Sequence, residues 1–487
     1  MAQNSVLKPD ETCWQIARAD RAHVIVDGDE YFEALRAAML KAKRRILLIG
    51  WDFDTRIMLG RGKRKRHDAP HRLGDFILWL ANNRPDLEVR ILKWATGAIK
   101  MLTRGSTLMT AAKWAMHERI QFKLDSAHPP GCSHHQKIVL IDDCFAVCGG
   151  IDCTTDRWDT CDHTGHDARR KRPNGDYYGP WHDATMLIDG EAARALADLG
   201  HERWTRAGGE PLDPVTVDSD PWPDTVDPEY RNVQIAIART RAEWNDAPAI
   251  NEVEALYLAM IAAARKYIYV ENQYFTSRRI AEAIAKRLEA ADPPEIVLIN
   301  PLTADGWLEQ KAMDGARIQL IRSLGDKPGS HRFTVYSPVN DADEDIYVHA
   351  KLMIVDDQML RIGSANMNNR SLGLDSECDV LIDVAQPGND AAEDNIRALR
   401  YRLLAEHTGT TAEAVKSALE GGQSMIDYIA ACPSTGRRLV RLELGALTEA
   451  EKFIADNELL DPDSPEGFFE PLGQRGLFRK RILRQPD

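Results

Sequence analysis

Apolar residues recur along this chain in a helical rhythm and then a compact strand rhythm, and the same succession occurs twice. Residues 32–49, FEALRAAMLKAKRRILLI, place Leu35 and Met39 at helical spacing, then the basic pair Arg44-Arg45, then a β-rich run. Residues 253–270, VEALYLAMIAAARKYIYV, repeat this without a gap, with Leu256, Met260 and Arg265-Lys266 in register at an offset of 221 (32 to 253). Three further matches follow in the same order. LEVRIL from Leu87 matches PEIVLI from Pro294, and HHQKIVLIDDCFAVCGGID from His134 matches VHAKLMIVDDQMLRIGSAN from Val348 at an offset of 214 (134 to 348). HDATMLID from His182 then matches SECDVLID from Ser376 at an offset of 194 (182 to 376). The pattern predicts a duplicated α/β unit.

Between the copies, residues 208–228 hold five prolines and five aspartates and read as an exposed connection without a packed element. After the second copy, IRALRYRLLAEHTG predicts an amphipathic helix stopping at Gly409. The boundaries expected are 1–207 and 229–410 for the two lobes, 208–228 for the linker, and 411–487 for a helical appendage with a Pro/Asp/Gly-rich turn near Asp461–Gly467. Length alone, 487 residues, suggests about three domains. The repeat reduces this to two lobes and a tail.

Charge narrows the partners. With 62 Lys+Arg against 75 Asp+Glu the net charge is −13, which disfavours coating of nucleic acid but leaves room for a local basic cleft. Neither a signal-peptide run at the start, where Lys8, Asp10 and Glu11 fall, nor an apolar membrane span is read, so a cytoplasmic or peripheral membrane location is expected, with signal-less export left open. Eight cysteines are few, and those between Cys132 and Cys161 contain no CxxC pair; reduced, mostly buried thiols are expected. HExxH fails at His117-Glu118 and at His201-Glu202, and no P-loop or GxGxxG string occurs.

The repeated His-x-Lys is the chemical signal. His135 and Lys137, like His349 and Lys351, stand two apart on a predicted strand, so both side chains leave one face. Each strand runs to an Asp-Asp pair, Asp142-Asp143 or Asp356-Asp357, predicted as a hairpin turn, and returns to Gly149-Gly150 or Gly363-Ser364. Asp142 lies seven residues past His135, about 23 Å of extended chain, too far to bond that imidazole. Asp142 and Asp356 are therefore read as turn carboxylates bonded to backbone N–H groups. The better imidazole partners are Asp183 and Glu377, aligned acids that open the following strand in each copy. His134 points to the opposite strand face and is set aside.

These residues resemble the phospholipase D superfamily, whose HxKxxxxD motif is met by His135/Lys137/Asp142 and by His349/Lys351/Asp356. GGID (149–152), RWD (157–159), PWHD (180–183), YVENQYF (269–275) and GSANMNNRS (363–371) look like the phospholipase D branch proper, over residues 20–410. The resemblance implies an α/β fold, a duplicated α/β/α sandwich whose two lobes share one active site about a pseudo-twofold axis. It implies a catalytic set of His135, His349, Lys137, Lys351, Asp142, Asp356, Asp183 and Glu377, with His135 as nucleophile and His349 as acid. Phosphate would be held by Lys137, Lys351, Asn366, Ser364, Gly149 and Gly150; Asp152 stands where the second copy has Asn366. No cofactor and no metal is expected. The implied activity is phospholipase D hydrolysis to phosphatidic acid, with transfer to alcohols; a cardiolipin-synthase-like phosphatidyltransferase and a soluble phosphodiesterase or nuclease are the alternatives. The implied partners are a phospholipid at a membrane surface and a water or alcohol acceptor, without a stable nucleic acid partner, and a monomer suffices for a complete site.

Two basic or amphipathic stretches stand outside this scheme. The first copy is longer by 20 residues between its motif and its acid (214 against 194), and that excess, residues 162–179 with Arg169, Arg170, Lys171 and Arg172, is expected to overhang the site as a solvated or head-group-binding loop. RGKRKRH at 61–67 reads the same way. Residues 94–116 suit either an interfacial helix or a half-buried core helix.

Overall fold

The computed structural model describes residues 5–61, 69–95, 105–303, 307–443 and Asp461. RGKRKRH, apart from Arg61, lies outside these residues, as do much of the 94–116 stretch and most of the tail.

The first half contributes strands β1 (Gln15–Val26), β2 (Arg45–Gly50), β3 (Glu88–Trp94), β4 (Ile120–Asp125), β5 (Ile138–Ile141), β6 (Phe145–Gly149), β7 (Trp181–His182) and β8 (Ala184–Asp189). The second contributes β9 (Tyr230–Arg241), β10 (Ile250–Asn251), β11 (Tyr267–Glu271), β12 (Glu295–Ile299), β13 (Phe333–Val339), β14 (Tyr347–Val348), β15 (Leu352–Val355), β16 (Met359–Gly363) and β17 (Glu377–Asp383), with β18 (Arg438–Arg441) from the tail. The main sheet runs β18-β13-β12-β11-β15-β16-β17-β9-β1-β8-β6-β5-β2-β3-β4. Outward from the β9–β1 pair, both directions meet the same succession of strands. The duplication read from the sequence is therefore a pseudo-twofold relation in space, with its axis at β1 and β9.

That central pair joins two 12-residue strands antiparallel, registered from Gln15↔Ile237 to Ala22↔Tyr230. Beyond Ala22, β1 leaves β9 and pairs with β8 through Val26↔Ala184. Buried strands flanked by helices on both faces give near-continuous apolar runs, as in RILLIG and EIVLI. On one face α1 (Gly28–Lys41) and α2 (Leu73–Asn83) cover the first half. There α3 (Gly105–Ala115) buries Trp114 beside Phe53 and leaves Met109 exposed. On the other face lies α4 (Gly190–Arg206). In the second half α5 (Glu252–Ala263), α6 (Arg278–Leu288) and α7 (Trp307–Gly325) cover one face, and α9 (Ala392–Thr408) packs on the other with α4 in a core shared by both halves; the short α8 (Asn369–Gly373) precedes β17. Helix α9 ends at Gly409 with φ 64°, the left-handed stop expected of that glycine. The tail adds α10 (Ala412–Glu420) and α11 (Met425–Ala431), and β18 extends the sheet edge at β13.

The Asp-Asp turns are backbone devices. Asp142, Asp143, Asp356 and Asp357 all have φ between 51° and 57°, a left-handed conformation that aspartate tolerates better than most residues. Segment 208–228 has no helix or strand and is exposed over most of its length as expected, but Pro221, Trp222 and Pro223 are buried, and Trp222 packs edge-on against Phe145. The cysteines are all free thiols, and Cys148 and Cys378, from different halves, lie 3.7 Å apart at sulfur. No helix among the described residues is long and apolar enough to cross a membrane.

Candidate active site

Each His-x-Lys lies in extended chain just before β5 or β15; the regular strand starts one residue past the lysine. A backbone bond fixes each lead-in to the opposite half. The His135 N–H donates to the Ser376 carbonyl at 2.9 Å, and the His349 N–H donates to the His182 carbonyl at 2.7 Å. β14 pairs in parallel with β7 for the same reason. Each motif is thus carried to the segment that opens the acid strand of the other copy.

The imidazole–carboxylate pairs accordingly cross between halves. Nδ1 of His135 lies 3.0 Å from Oε1 of Glu377, and Nδ1 of His349 lies 2.6 Å from Oδ2 of Asp183. A carboxylate on Nδ1 fixes the ring and leaves Nε2 for chemistry. Glu377 also accepts from the Ser371 hydroxyl at 2.7 Å and from the Ser364 hydroxyl. Burial pushes the Glu377 carboxyl up to about 8 and raises that of Asp183, while both imidazoles are held well below their ordinary value by burial and by the lysines nearby. In each pair burial thus works against the charged form of both partners.

The lysines come to the same centre. Lys137 donates to the His135 carbonyl at 2.6 Å and lies 3.4 Å from Asp152. Lys351 donates to the His349 carbonyl and to Oε1 of Gln273 at 3.0 Å. Asn366 reaches the same Gln273 oxygen at 3.4 Å, and its own Oδ1 is buried without a hydrogen-bond partner. Burial drives the Lys351 ammonium down to about 7. Trp181, 5.1 Å from the His349 ring, lines the centre, and the Arg157 guanidinium lies 4.1 Å from its ring centre.

Other expected residues lie elsewhere or act differently. Asp142 and Asp356 do not join the imidazoles. Asp142 accepts the N–H groups of Lys43, Arg44 and Arg45 at 2.7–2.9 Å, and Asp356 those of Arg265, Lys266 and Tyr267 at 2.8 Å, tying each hairpin to the start of β2 or β11. Gly149 and Gly150 depart from the expected phosphate contact, because their N–H groups already donate to the Lys137 and Ala184 carbonyls. Their part is spatial: a Cβ at Gly150 would stand 2.0 Å from Oδ1 of Asp183. Ser364 likewise turns its hydroxyl to Glu377. In the long first-half loop, Arg170 is buried in ion pairs with Asp159 and Glu344, and Arg169 is paired with Asp167. His134 bonds Ser376 at 2.6 Å and faces Asp125 at 3.0 Å, away from the centre.

Sequence reasoning missed a buried cluster directly behind Asp183. Asp27, His163, His182 and Glu406 bring four possible ligand atoms within 4.8 Å of one another, and Glu271 and His407 extend the group through His182. Of all the described residues, these come nearest to a cation site. PWHD, YVENQYF and AEH contain His182, Glu271 and Glu406-His407; a His or Glu-His flanked by strongly apolar positions is the available signal. Nothing local marks His163.

Residues 257–397 match the family described as cardiolipin synthase, PLD-like domain. Phospholipase D A of Dictyostelium discoideum is 28% identical, covering 79% of this chain and 35% of its own length. Phospholipase D alpha 1 of Nicotiana tabacum is 22% identical, covering 79% and 65%. The chain thus spans between about a third and two thirds of the length of these relatives. A crystal structure of phosphatidylserine synthase from Haemophilus influenzae Rd KW20 shares the fold, with a TM-score of 0.54 and 14% identity over 85% of this chain and 95% of that one. The chain is thus a duplicated α/β/α sandwich with crossed imidazole–carboxylate pairs on its pseudo-twofold axis. Over most of its length the chain is similar to members of the phospholipase D superfamily.

Proposed function

We propose that the protein is a phospholipase D that cleaves the distal phosphodiester bond of glycerophospholipids at a membrane surface. The observation that carries this is the convergence of two imidazoles from different halves, each fixed at Nδ1 by a buried carboxylate, beside Lys137, Lys351 and Asn366. Nε2 of His135 attacks phosphorus as the bond to the head-group oxygen breaks, and Nε2 of His349 gives that oxygen its proton. Water, or an alcohol, then attacks the phosphohistidine; His349 takes the incoming proton and His135 departs with the electron pair of the P–N bond. The two ammonium groups and the Asn366 amide hold the phosphoryl oxygens as charge develops. The reaction so written needs neither a metal nor a cofactor, and one chain supplies the whole site.

Mixed phospholipid vesicles, EDTA and a little primary alcohol test this. Phosphatidic acid and phosphatidyl-alcohol are expected, with a bell-shaped pH profile, and His135→Ala and His349→Ala should each lower turnover by about 10²-fold or more. DNA cleavage without lipid turnover would overturn the reading. The second reading, a phosphatidyltransferase, is favoured by the match to a cardiolipin synthase domain, and cardiolipin-like products would select it.

A further inference from the structure

Behind the His349–Asp183 pair stand charged side chains that the reaction does not use. Asp27 precedes α1 with φ 66° and ψ 163°, a conformation that residues other than glycine rarely adopt. An aspartate at this position ordinarily caps its helix; this one makes no cap bond and turns to residue 183. Its N–H donates to the Asp183 carbonyl at 2.8 Å, and its Oδ1 accepts the Asp183 N–H at 3.1 Å. Residue 183 is gripped on both sides of its backbone, one residue from the carbonyl that holds His349. Gly28 permits the turn, since a Cβ there would lie 2.1 Å from the Arg157 carbonyl oxygen.

Carboxylates and imidazoles lock Asp27 in place. His163 bonds Asp159 at 2.9 Å through Nδ1 and Glu406 at 3.2 Å through Nε2, with Oδ2 of Asp27 3.5 Å away. His182 bonds Glu271 at 2.8 Å through Nε2. Its Nδ1 lies 2.8 Å from Glu406 and 3.2 Å from Oδ1 of Asp27, ion-pair contacts outside hydrogen-bond geometry. A ring with carboxylates at both nitrogens is held as the imidazolium, so two cations sit between the acids. The other pair is backed differently, by His134, Asp125 and Arg203, with His134 on the Ser376 hydroxyl and Gln136 on the Glu377 carbonyl. Ser376 occupies the place of His182, and Glu377 is steadied by two serine hydroxyls.

We propose that Asp27, locked by His163, His182 and Glu406, is a positioning residue that sets Asp183 so that His349 delivers its proton to the leaving oxygen. This rests on the reading of His349 as the acid. The step it serves forms the bond from His135 Nε2 to phosphorus, breaks the bond from phosphorus to the head-group oxygen, and moves one proton from His349 Nε2 to that oxygen. The attack by His135 does not depend on it.

A leaving group that needs no proton separates the two contributions. The full chain is offered vesicles of phosphatidylcholine or of phosphatidyl-p-nitrophenol, and the first turnover is followed. Asp27→Ala and Asp27→Asn should slow choline release by about 10- to 100-fold, the range for removing a group that orients a reacting one. The nitrophenolate burst should stay within about twofold, with KM unchanged. Glu406→Gln, which leaves both Asp27–Asp183 bonds intact, should show the same selectivity more weakly and serves if the Asp27 variants do not fold. Equal losses on both substrates, or no loss on either, would overturn the proposal, as would a stoichiometric divalent ion in the purified protein lost on Asp27→Ala. His349→Ala should keep the nitrophenolate burst and lose choline release. If His135→Ala behaves that way instead, the acid assignment has failed, independently of Asp27.

Discussion

Burial sets the protonation of the central residues, and Lys351 shows the consequence most directly. Its ammonium, driven down to about 7, carries charge below that pH and loses it as pH rises through 7. Stabilisation of the phosphoryl oxygens should therefore fade above about pH 7, giving kcat/KM an alkaline limb that falls roughly tenfold per pH unit. A pH–rate profile checks this, and a rate still rising at pH 9 would contradict it. The spacing of His135 with Lys137 and of His349 with Lys351 was legible because two residues on extended chain share a face. Asp183 and Glu377 were legible as partners because Asp142 and Asp356 lie too far along their strands. The crossing of the pairs was not, since it depends on the backbone bonds of His135 to Ser376 and of His349 to His182 across the halves. Gly149 and Gly150 looked like phosphate contacts because a sequence records the absence of a side chain but not which carbonyl its N–H already meets.

The helix–strand copies and the Asp-Asp hairpins were readable from apolar spacing and turn chemistry. The β1–β9 ribbon was not, because its two sequences, QIARADRAHVIV and YRNVQIAIARTR, share the strand rhythm rather than matching residues. The long first-half loop is the element whose role changed most: its arginines are largely spent on local ion pairs, and its His163 enters the core. Facing carboxylates raise His163 to about 9 against the opposition of burial. Because the folded value lies above the unfolded one, near 6.5, the stabilisation is fully present below about pH 6.5 and is lost as pH rises through 9. The loss amounts to at most about 3 kcal/mol. Thermal melts from pH 6.5 to 9.5 should show the decline, and His163→Ala should flatten it; a parallel decline in the variant would remove His163 as its source.

At the scale of the whole molecule, one chain brings both motifs and both carboxylates together, so two inactive full-length variants have nothing to exchange. An equimolar mixture of His135→Ala and His349→Ala proteins should remain as inactive as either alone, to within the assay background. Recovery of a quarter or more of normal turnover would mean that halves swap between chains. The β1–β9 ribbon gives this arrangement the geometry of an isologous dimer written into a single polypeptide. In a true homodimer every substitution is made on both sides of the axis at once. A continuous chain is free of that constraint, so Asp152 can offset Lys137 while Asn366 stands near Lys351, and the two acids can be backed by different side chains. That covalent link leaves two otherwise equivalent histidines free to take different tasks.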